Sequence, residues 1–495
     1  MLVLLLVEGV YYFVVTAGTF TTWPQYLSYY DYLAEGFRAG HLHLSIAPAP
    51  ELVAAPDPFD PALTPYWAPD ASYYKGQYFI YWGPVPALLL AAVKIVLRIS
   101  AFVGDQYLCF AFTTLQLVFG ALLLERVARR AFTQVPFWAL LLGVLTFGLA
   151  TPTAHSLANG AIYNTAIAAG QAFMVGGVLF AFDAVASASA SAPPARRLLL
   201  PGLFFALALG CRISLPPSIL LLSLLTVAAA RTPAARTWPQ LARDVLWIGL
   251  LPGLGLGALM LYNRLRFDSW TDFGGSRQLS SLRYAISPAY LAPNLYTYLL
   301  RPLQRRCEFP FLVAPWQMGA RAFAKGMVLP PGYFAGEPLV GILPGLPIVW
   351  LGVAAIWAGV RALRGRRASE SALTPRDERT RLFLYCLAVF AILCTNSAFP
   401  LLFLFMASMR QLGDIEAGLV LVGILGAWWL LDRARAVAWR RRVAAAVVVG
   451  LSVGTIVIGL LLGYEGYGKH FATNNPNLDE ALRAKLSWCG ARARP

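Results

Sequence analysis

The sequence predicts an all-α polytopic membrane protein, and three observations carry that prediction. Apolar residues make up 58% of the 495-residue chain and charged ones only 13%, a balance that soluble domains do not show and that excludes intrinsic disorder. Apolar runs long enough to cross about 30 Å of hydrocarbon at 1.5 Å per residue recur along the whole chain. The 40 Lys and Arg against 24 Asp and Glu give a formal charge of +16. These charges are scattered between the apolar runs, whereas a nucleic-acid partner would require them on one accessible face.

Windows of about 19 residues mark eleven spans, near 1–20, 106–124, 136–152, 160–182, 198–211, 215–230, 245–263, 339–360, 382–399, 416–431 and 443–463. The run 83–96 is shorter and carries Lys94, with Arg98 just behind it, so it reads as a helix lying in the membrane interface. With the amino terminus inside, the loops 125–135, 184–197, 231–244, 361–381 and 432–442 hold 20 of the 40 basic residues, the excess expected on a cytoplasmic face. Counting 83–98 as a crossing would instead place Arg364, Arg366 and Arg367 outside.

Three segments then face outward: 21–105, 264–338 and the tail 464–495, which divides the chain into a transmembrane domain 1–463 and a short outer tail. Function is expected in these segments, because the cytoplasmic links are short and no G-x-x-x-x-G-K-[ST] phosphate loop is present. The link 186–194, with its Ala-Ser alternation and two prolines, reads as a flexible linker. The first 20 residues lack a basic start and a cleavage site, so they read as a retained anchor. Glu8 within them is an acid at membrane depth, which should face the bundle interior. The six cysteines show no C-x-x-C spacing for zinc. Cys307 and Cys489 both fall on the outer side and are able to pair there, although free thiols are the expectation. In the tail, Asn474-Asn475-Pro476 should cap a short helix from about 478 to 487.

The first outer segment holds the densest chemistry. Tyr30-Asp31-Tyr32-Leu33-Ala34-Glu35-Gly36-Phe37 follows the first span, then Gly40-His41-Leu42, then Asp70-Ala71-Ser72-Tyr73-Tyr74-Lys75-Gly76-Gln77-Tyr78-Phe79-Ile80-Tyr81-Trp82-Gly83-Pro84-Val85-Pro86. An acid at the membrane surface can take a proton from a hydroxyl or hold a divalent cation. Tyr30, Tyr74, Tyr78, Tyr81 and Trp82, with His41, offer faces that suit a sugar ring and a headgroup belt alike. Arg212 sits where two short apolar stretches meet, so a guanidinium lies at membrane depth and needs an anion. A lipid phosphate or a structural carboxylate would serve equally. Arg410 and Asp414, four apart where the tenth span begins, share a helix face, either as a simple ion pair or as a phosphate-binding arginine with its orienting acid.

The combination of Asp31 beyond the first span, a long outer loop, and the aromatic run ending in Gly83-Pro84-Val85-Pro86-Ala87-Leu88 resembles the polytopic glycosyltransferases of the GT-C fold. Lipid A aminoarabinose transferases and protein O-mannosyltransferases are the best-known members, and uncharacterised bacterial members are closest in wording. The likeness is partial, since Asp31 has no neighbouring acid and Pro-Val-Pro stands where that group has Pro-Pro-Leu.

The resemblance implies juxtamembrane helices in the first outer loop and an active site on the periplasmic face of a bacterial inner membrane. It further implies a sugar donor on polyprenyl phosphate or diphosphate and a glycan, lipid or protein acceptor. On this reading Asp31 is the general base and Asp70 its reserve, or the two share a divalent cation such as Mg or Mn. Lys75, Arg212 and Arg410, the last with Asp414, hold the donor phosphate. Two rival readings are a non-catalytic translocator of a lipid-linked glycan and an accessory subunit of a larger membrane complex.

Overall fold

The computed structural model describes residues 1–187, 195–230, 237–282, 285–316, 323–324, 326–366 and 375–489. From residue 188 the linker expected at 186–194 lies outside the described residues, as do Arg231, Arg236 and Arg367.

The chain opens with α1 (Leu2–Val15), followed by the first outer segment: α2 (Tyr30–Arg38), α3 (Pro50–Ala54), the antiparallel hairpin β1 (Ser72–Tyr74) with β2 (Gln77–Phe79), and α4 (Val85–Leu97). The bundle proper begins with α5 (Asp105–Ala131), α6 (Phe137–Gly148), α7 (Thr151–Leu157), α8 (Ile162–Ala186), α9 (Leu199–Leu209), α10 (Pro216–Ala229) and α11 (Trp238–Phe267). A second outer segment carries α12 (Leu291–Leu300), the short pair β3 (Gln304–Arg305) and β4 (Leu312–Val313), and α13 (Ile342–Gly345). Then come α14 (Gly352–Arg366), α15 (Pro375–Leu393), α16 (Ala398–Phe403), α17 (Met409–Ala434) and α18 (Ala438–Glu465), and the tail forms α19 (His470–Asn474) and α20 (Pro476–Leu486).

Every apolar run read from the sequence falls on helix, although 136–152 is divided between α6 and α7 and 339–360 between α13 and α14. Among the described residues, however, six helices are able to cross a membrane by length and composition, or seven if α6 and α7, bent by 47° at their junction, make one broken span. Three further apolar helices, α1, α4 and α10, are shorter. The chain is a multi-pass membrane protein whose count of eleven crossings goes beyond what those helix lengths establish.

Local rules account for the long helices. α5 begins on an acid, Asp105, and ends on Arg129 and Arg130, each opposing the partial charge of its helix end. α10 and α11 start with proline in the first turn, where the missing N–H costs nothing. α8 is buried on nearly all sides and forms the centre of the bundle, while α11 turns most of its apolar surface outward, as a helix facing lipid does.

The basic helix ends collect at one end of the bundle. Arg126 on α5 pairs with Asp183 on α8. Arg381 on α15 donates to the carbonyls of Ala229 at 3.0 Å and Val185 at 3.3 Å, capping α10 and α8. The starts of α8 and α17, Asp70 and Tyr81 on either side of the hairpin, and the second outer segment meet around a cavity at the opposite end.

The tail helix α20 begins where the sequence places it, its first turn capped by the Asn475 side chain, which accepts from Leu478 N–H at 3.3 Å. Contrary to the expectation of free thiols, Cys307 and Cys489 form a disulfide with Cα atoms 5.6 Å apart. Cys109, Cys211, Cys386 and Cys394 remain reduced.

Candidate active site

Asp31 lies on α2, and the way α2 starts explains where its carboxylate points. The Asp105 carboxylate accepts the backbone N–H groups of Tyr29 and Tyr30 at 3.1 and 3.2 Å, so an acid from α5 caps α2. One turn in, Asp31 and Glu35 stand four residues apart on one face. Both meet the same ammonium, that of Lys94 on α4, each at 2.6 Å. Val103 N–H adds a second contact to Asp31 at 3.1 Å. Asp31 is 3% exposed and Lys94 1%. Hydrogen bonding from Lys94, with Arg38 beside it, holds Glu35 below the usual carboxylate range. Asp31 thus clamps α2 to α4. It does not line the cavity, which is the physical obstacle to its expected role as base.

Asp70 is placed differently. It ends the proline-rich passage in a left-handed conformation, φ 62°, tolerable for Asp. Its N–H donates to Leu279 O at 3.0 Å. That turn points the carboxylate into a cavity of about 400 Å³, within the size range of small-molecule sites. There it accepts from Gln278 Nε2 at 2.8 Å and from the Tyr163 hydroxyl at 3.2 Å.

Arg410, in the first turn of α17, lines the same cavity and pairs with Glu337 at 3.2 Å. Its guanidinium carbon lies 4.5 Å from the centre of the Tyr163 ring, a cation–π distance. Tyr163 therefore joins the two charges: its ring supports the arginine and its hydroxyl touches the acid. Tyr26, Tyr81, Phe334 and Tyr467 supply aromatic wall. Burial raises the Glu337 carboxyl above its ordinary value, with Arg410 acting against that rise.

The other expected residues fall outside this cavity. Lys75 is exposed at the hairpin turn, bonded to Asp268 at 2.7 Å, and the Tyr74 hydroxyl donates to the same carboxylate at 2.9 Å. Asp414, fully buried, takes Arg212 as its partner, so the expected pairing of Arg410 with Asp414 is replaced by two ion pairs, Arg410 with Glu337 and Arg212 with Asp414. Tyr30 is fully buried. Tyr78 is buried and donates to Tyr66 O at 3.3 Å. Trp82 lies against Tyr81, ring centres 4.0 Å apart, and edge-on to Tyr163 at 5.5 Å. His41 is exposed and stacked on His43 at 4.9 Å.

Of the expected set, the structure brings Asp70, Tyr81 and Arg410 together in the cavity. Tyr163, Gln278 and Glu337 were not foreseen. The first reads as an ordinary residue at the start of a span, and only the isolated acid in Gly336-Glu337-Pro338 offered a signal.

A divalent cation held by Asp31 and Asp70 does not fit the donor set. The two carboxylates have different partners, one engaging Lys94 and Val103, the other Gln278 and Tyr163. Among the described residues, no three His, Cys, Asp or Glu side chains gather around one point.

No protein-family model and no curated protein matches the chain. Solved structures of the oligosaccharyltransferase of Archaeoglobus fulgidus are similar in overall shape. The apo form shows 13% identity and a TM-score of 0.46 over 93% of this chain and 56% of that one. The form tethered to an acceptor peptide containing the NVT sequon shows 11% and 0.46, over 94% and 55%. The complex with an inhibitory peptide and a dolichol-phosphate shows 12% and 0.45, over 92% and 55%. The chain spans little more than half the length of these proteins, and the functional reading below rests on its own residues.

Proposed function

We propose that the protein is a glycosyltransferase of the GT-C type, moving a sugar from a polyprenyl-phosphate carrier to an acceptor hydroxyl on the outer face of a bacterial inner membrane. The observation that carries this reading is the pairing of Asp70 and Arg410 across Tyr163 in one aromatic-walled cavity, at the end of the bundle opposite the basic helix ends. The wording of the first outer segment, which resembles that family, points the same way.

In the proposed reaction the acceptor oxygen attacks the anomeric carbon, and its proton passes to the Asp70 carboxylate. The bond from that carbon to the carrier phosphate breaks, its electron pair staying on the phosphate oxygen. Gln278 and Tyr163 orient Asp70. Arg410 opposes the growing negative charge in a site of low dielectric, where such a charge counts for more than in water. The phosphate already leaves well, so most of the catalysis lies in positioning the two substrates.

Transfer of radiolabelled sugar from a polyprenyl-phosphate donor in proteoliposomes tests this. Asp70→Asn should lower turnover about 10²- to 10⁴-fold, the range for loss of a general base, with membrane insertion intact. Undiminished turnover in that variant removes Asp70 as the base. A wild-type protein that moves a labelled lipid-linked glycan between leaflets without transferring its sugar would be a translocator instead.

A further inference from the structure

Arg266, near the outer end of α11, is 5% exposed, and among the described residues no carboxylate lies within ion-pair distance of it. Its guanidinium donates to Ile80 O at 2.7 Å and Asn263 Oδ1 at 2.9 Å and lies 3.7 Å above the Tyr262 ring. Its Nε is buried without a partner. Asp272 acts on it only from a distance, and a buried cation with no carboxylate in contact is costly, so the site favours the arrival of an anion.

Two adjoining spaces indicate what kind of anion. Arg266 borders a narrow crevice, about 10 Å³ as it stands, between Trp82-Gly83-Pro84 and Leu209, Ile213 and Leu259, and a phosphate entering it must part these walls. Tyr81 is shared between this crevice and the Asp70 cavity. Leu209 is shared between it and an apolar groove of about 310 Å³. The groove runs between α10 and α11, walled by Ile219, Leu220, Leu224, Ile248 and Leu256. Its α11 side is open because Gly249 and Gly253 line it, and a Cβ on either would meet nothing within 4 Å. Leu220 is 58% exposed and Leu224 46%, facing the side where lipid lies. From Leu256 to Arg266 the helix rises about 15 Å at 1.5 Å per residue.

We infer that α10, α11 and Arg266 form one binding site for a long-chain lipid monophosphate, with the apolar chain in the groove and the phosphate oxygens on the Arg266 guanidinium. This rests on the proposed function in one respect: it names where that reaction's carrier sits and makes Arg266, rather than Arg212 or Lys75, the residue that holds its phosphate. Tyr81, which borders both spaces, then lies beside the phosphate, so that Arg266 holds it from one side while the sugar and the bond that breaks pass Tyr81 toward Asp70 and Arg410.

The test is equilibrium binding of a tritiated polyprenyl monophosphate, carrying no sugar, to the full-length protein in detergent. Arg266→Gln and Gly253→Phe should each weaken binding at least tenfold, the first by removing the charge and the second by filling the groove from a position where a Cβ meets nothing within 4 Å. Gly257→Leu, also open at Cβ but outside the groove, should bind as wild type, and Arg266→Lys should recover part of the loss. The corresponding polyprenyl alcohol should bind weakly and equally to wild type and Arg266→Gln. Wild-type affinity in both Arg266→Gln and Gly253→Phe overturns the site. Displacement of the lipid by millimolar inorganic phosphate with Gly253→Phe unaffected overturns the lipid assignment in favour of a free-anion site.

Because no sugar is transferred in this assay, its outcome is separate from that of the Asp70 experiment. Binding without turnover would sink the proposed reaction alone. Turnover with an unchanged KM in Arg266→Gln would sink this site alone.

Discussion

At the scale of single residues, the two acids of the first outer segment divide the work by environment. Asp31 shares the Lys94 ammonium with Glu35 in a buried cluster, and a cluster of that kind is strongly destabilised when one partner is lost. Lys94→Met should cost about 3–5 kcal/mol of stability, read as a fall in thermal unfolding midpoint in detergent. An unchanged midpoint would mean the cluster holds nothing.

Glu337 makes a prediction of opposite character. Burial raises its folded-state value above the ordinary 4.5, so as pH rises through 4.5 the unfolded chain gives up a proton that the folded protein keeps. Stability from this group therefore falls with rising pH until Glu337 ionises in the folded state. Glu337→Gln should flatten that slope in a midpoint-against-pH series, and an identical slope would contradict it. The cavity acid and arginine were legible in the sequence because Asp70 and Arg410 are charges set beside apolar runs. Tyr163 was not, because a tyrosine at the start of a span is what every membrane interface shows. The surroundings of Asp31 were not legible, because its partner, Lys94, stands sixty-three positions away and looked like a lysine reaching for the headgroups.

At the scale of elements, the seam between the first outer segment and the bundle is made by backbone. Gly83 N–H donates to Cys211 O at 3.2 Å and Val85 N–H to Gly210 O at 3.0 Å, tying the start of α4 to the break between α9 and α10. A Cβ at Gly83 would stand 2.0 Å from Gly210 O, a clash with main chain that no rotamer relieves. Gly83→Ala should therefore cost about 1–3 kcal/mol, the range for an overfilled contact, and slow sugar transfer, because Tyr81 and Trp82 immediately precede the seam. Gly257→Ala, whose Cβ meets nothing within 4 Å, serves as the neutral comparison in the same unfolding assay. The short helix at 85–97 followed from an apolar run ending at Lys94 and Arg98, and the short α9 and α10 followed from the arginine between them. The bend between α6 and α7 did not, because the run 136–152 is apolar throughout, and the break lies where Thr151 Oγ1 turns aside to donate to Gly345 O at 2.8 Å.

At the scale of the whole molecule, charge and chemistry separate along one axis. Arg126, Arg129 and Arg130 end α5 at one extreme, while Arg410 and Tyr163, in the first turns of α17 and α8, meet Asp70 at the other. The proposed topology, with the basic end inside, orients the cavity outward. Single cysteines replacing Arg129 and Lys75, both well exposed, should react with a membrane-impermeant maleimide from opposite sides in oriented vesicles, Lys75→Cys from outside. Labelling of both from the same side would overturn the topology. General architecture was legible from composition because the solvent of a chain is written in its bulk hydropathy. The arrangement of helices around α8 was not, since apolar faces packed on protein and on lipid look alike in sequence.

The disulfide between Cys307 and Cys489 spans 182 positions and has a topological consequence. It closes a covalent ring that runs from the second outer segment through α14, α15, α17 and α18 and back by way of the tail. A single cut anywhere on that ring converts a loop into two arms still joined at the sulfurs. Four of the long helices thus remain one molecule after a nick, and only reduction and cleavage together release a fragment.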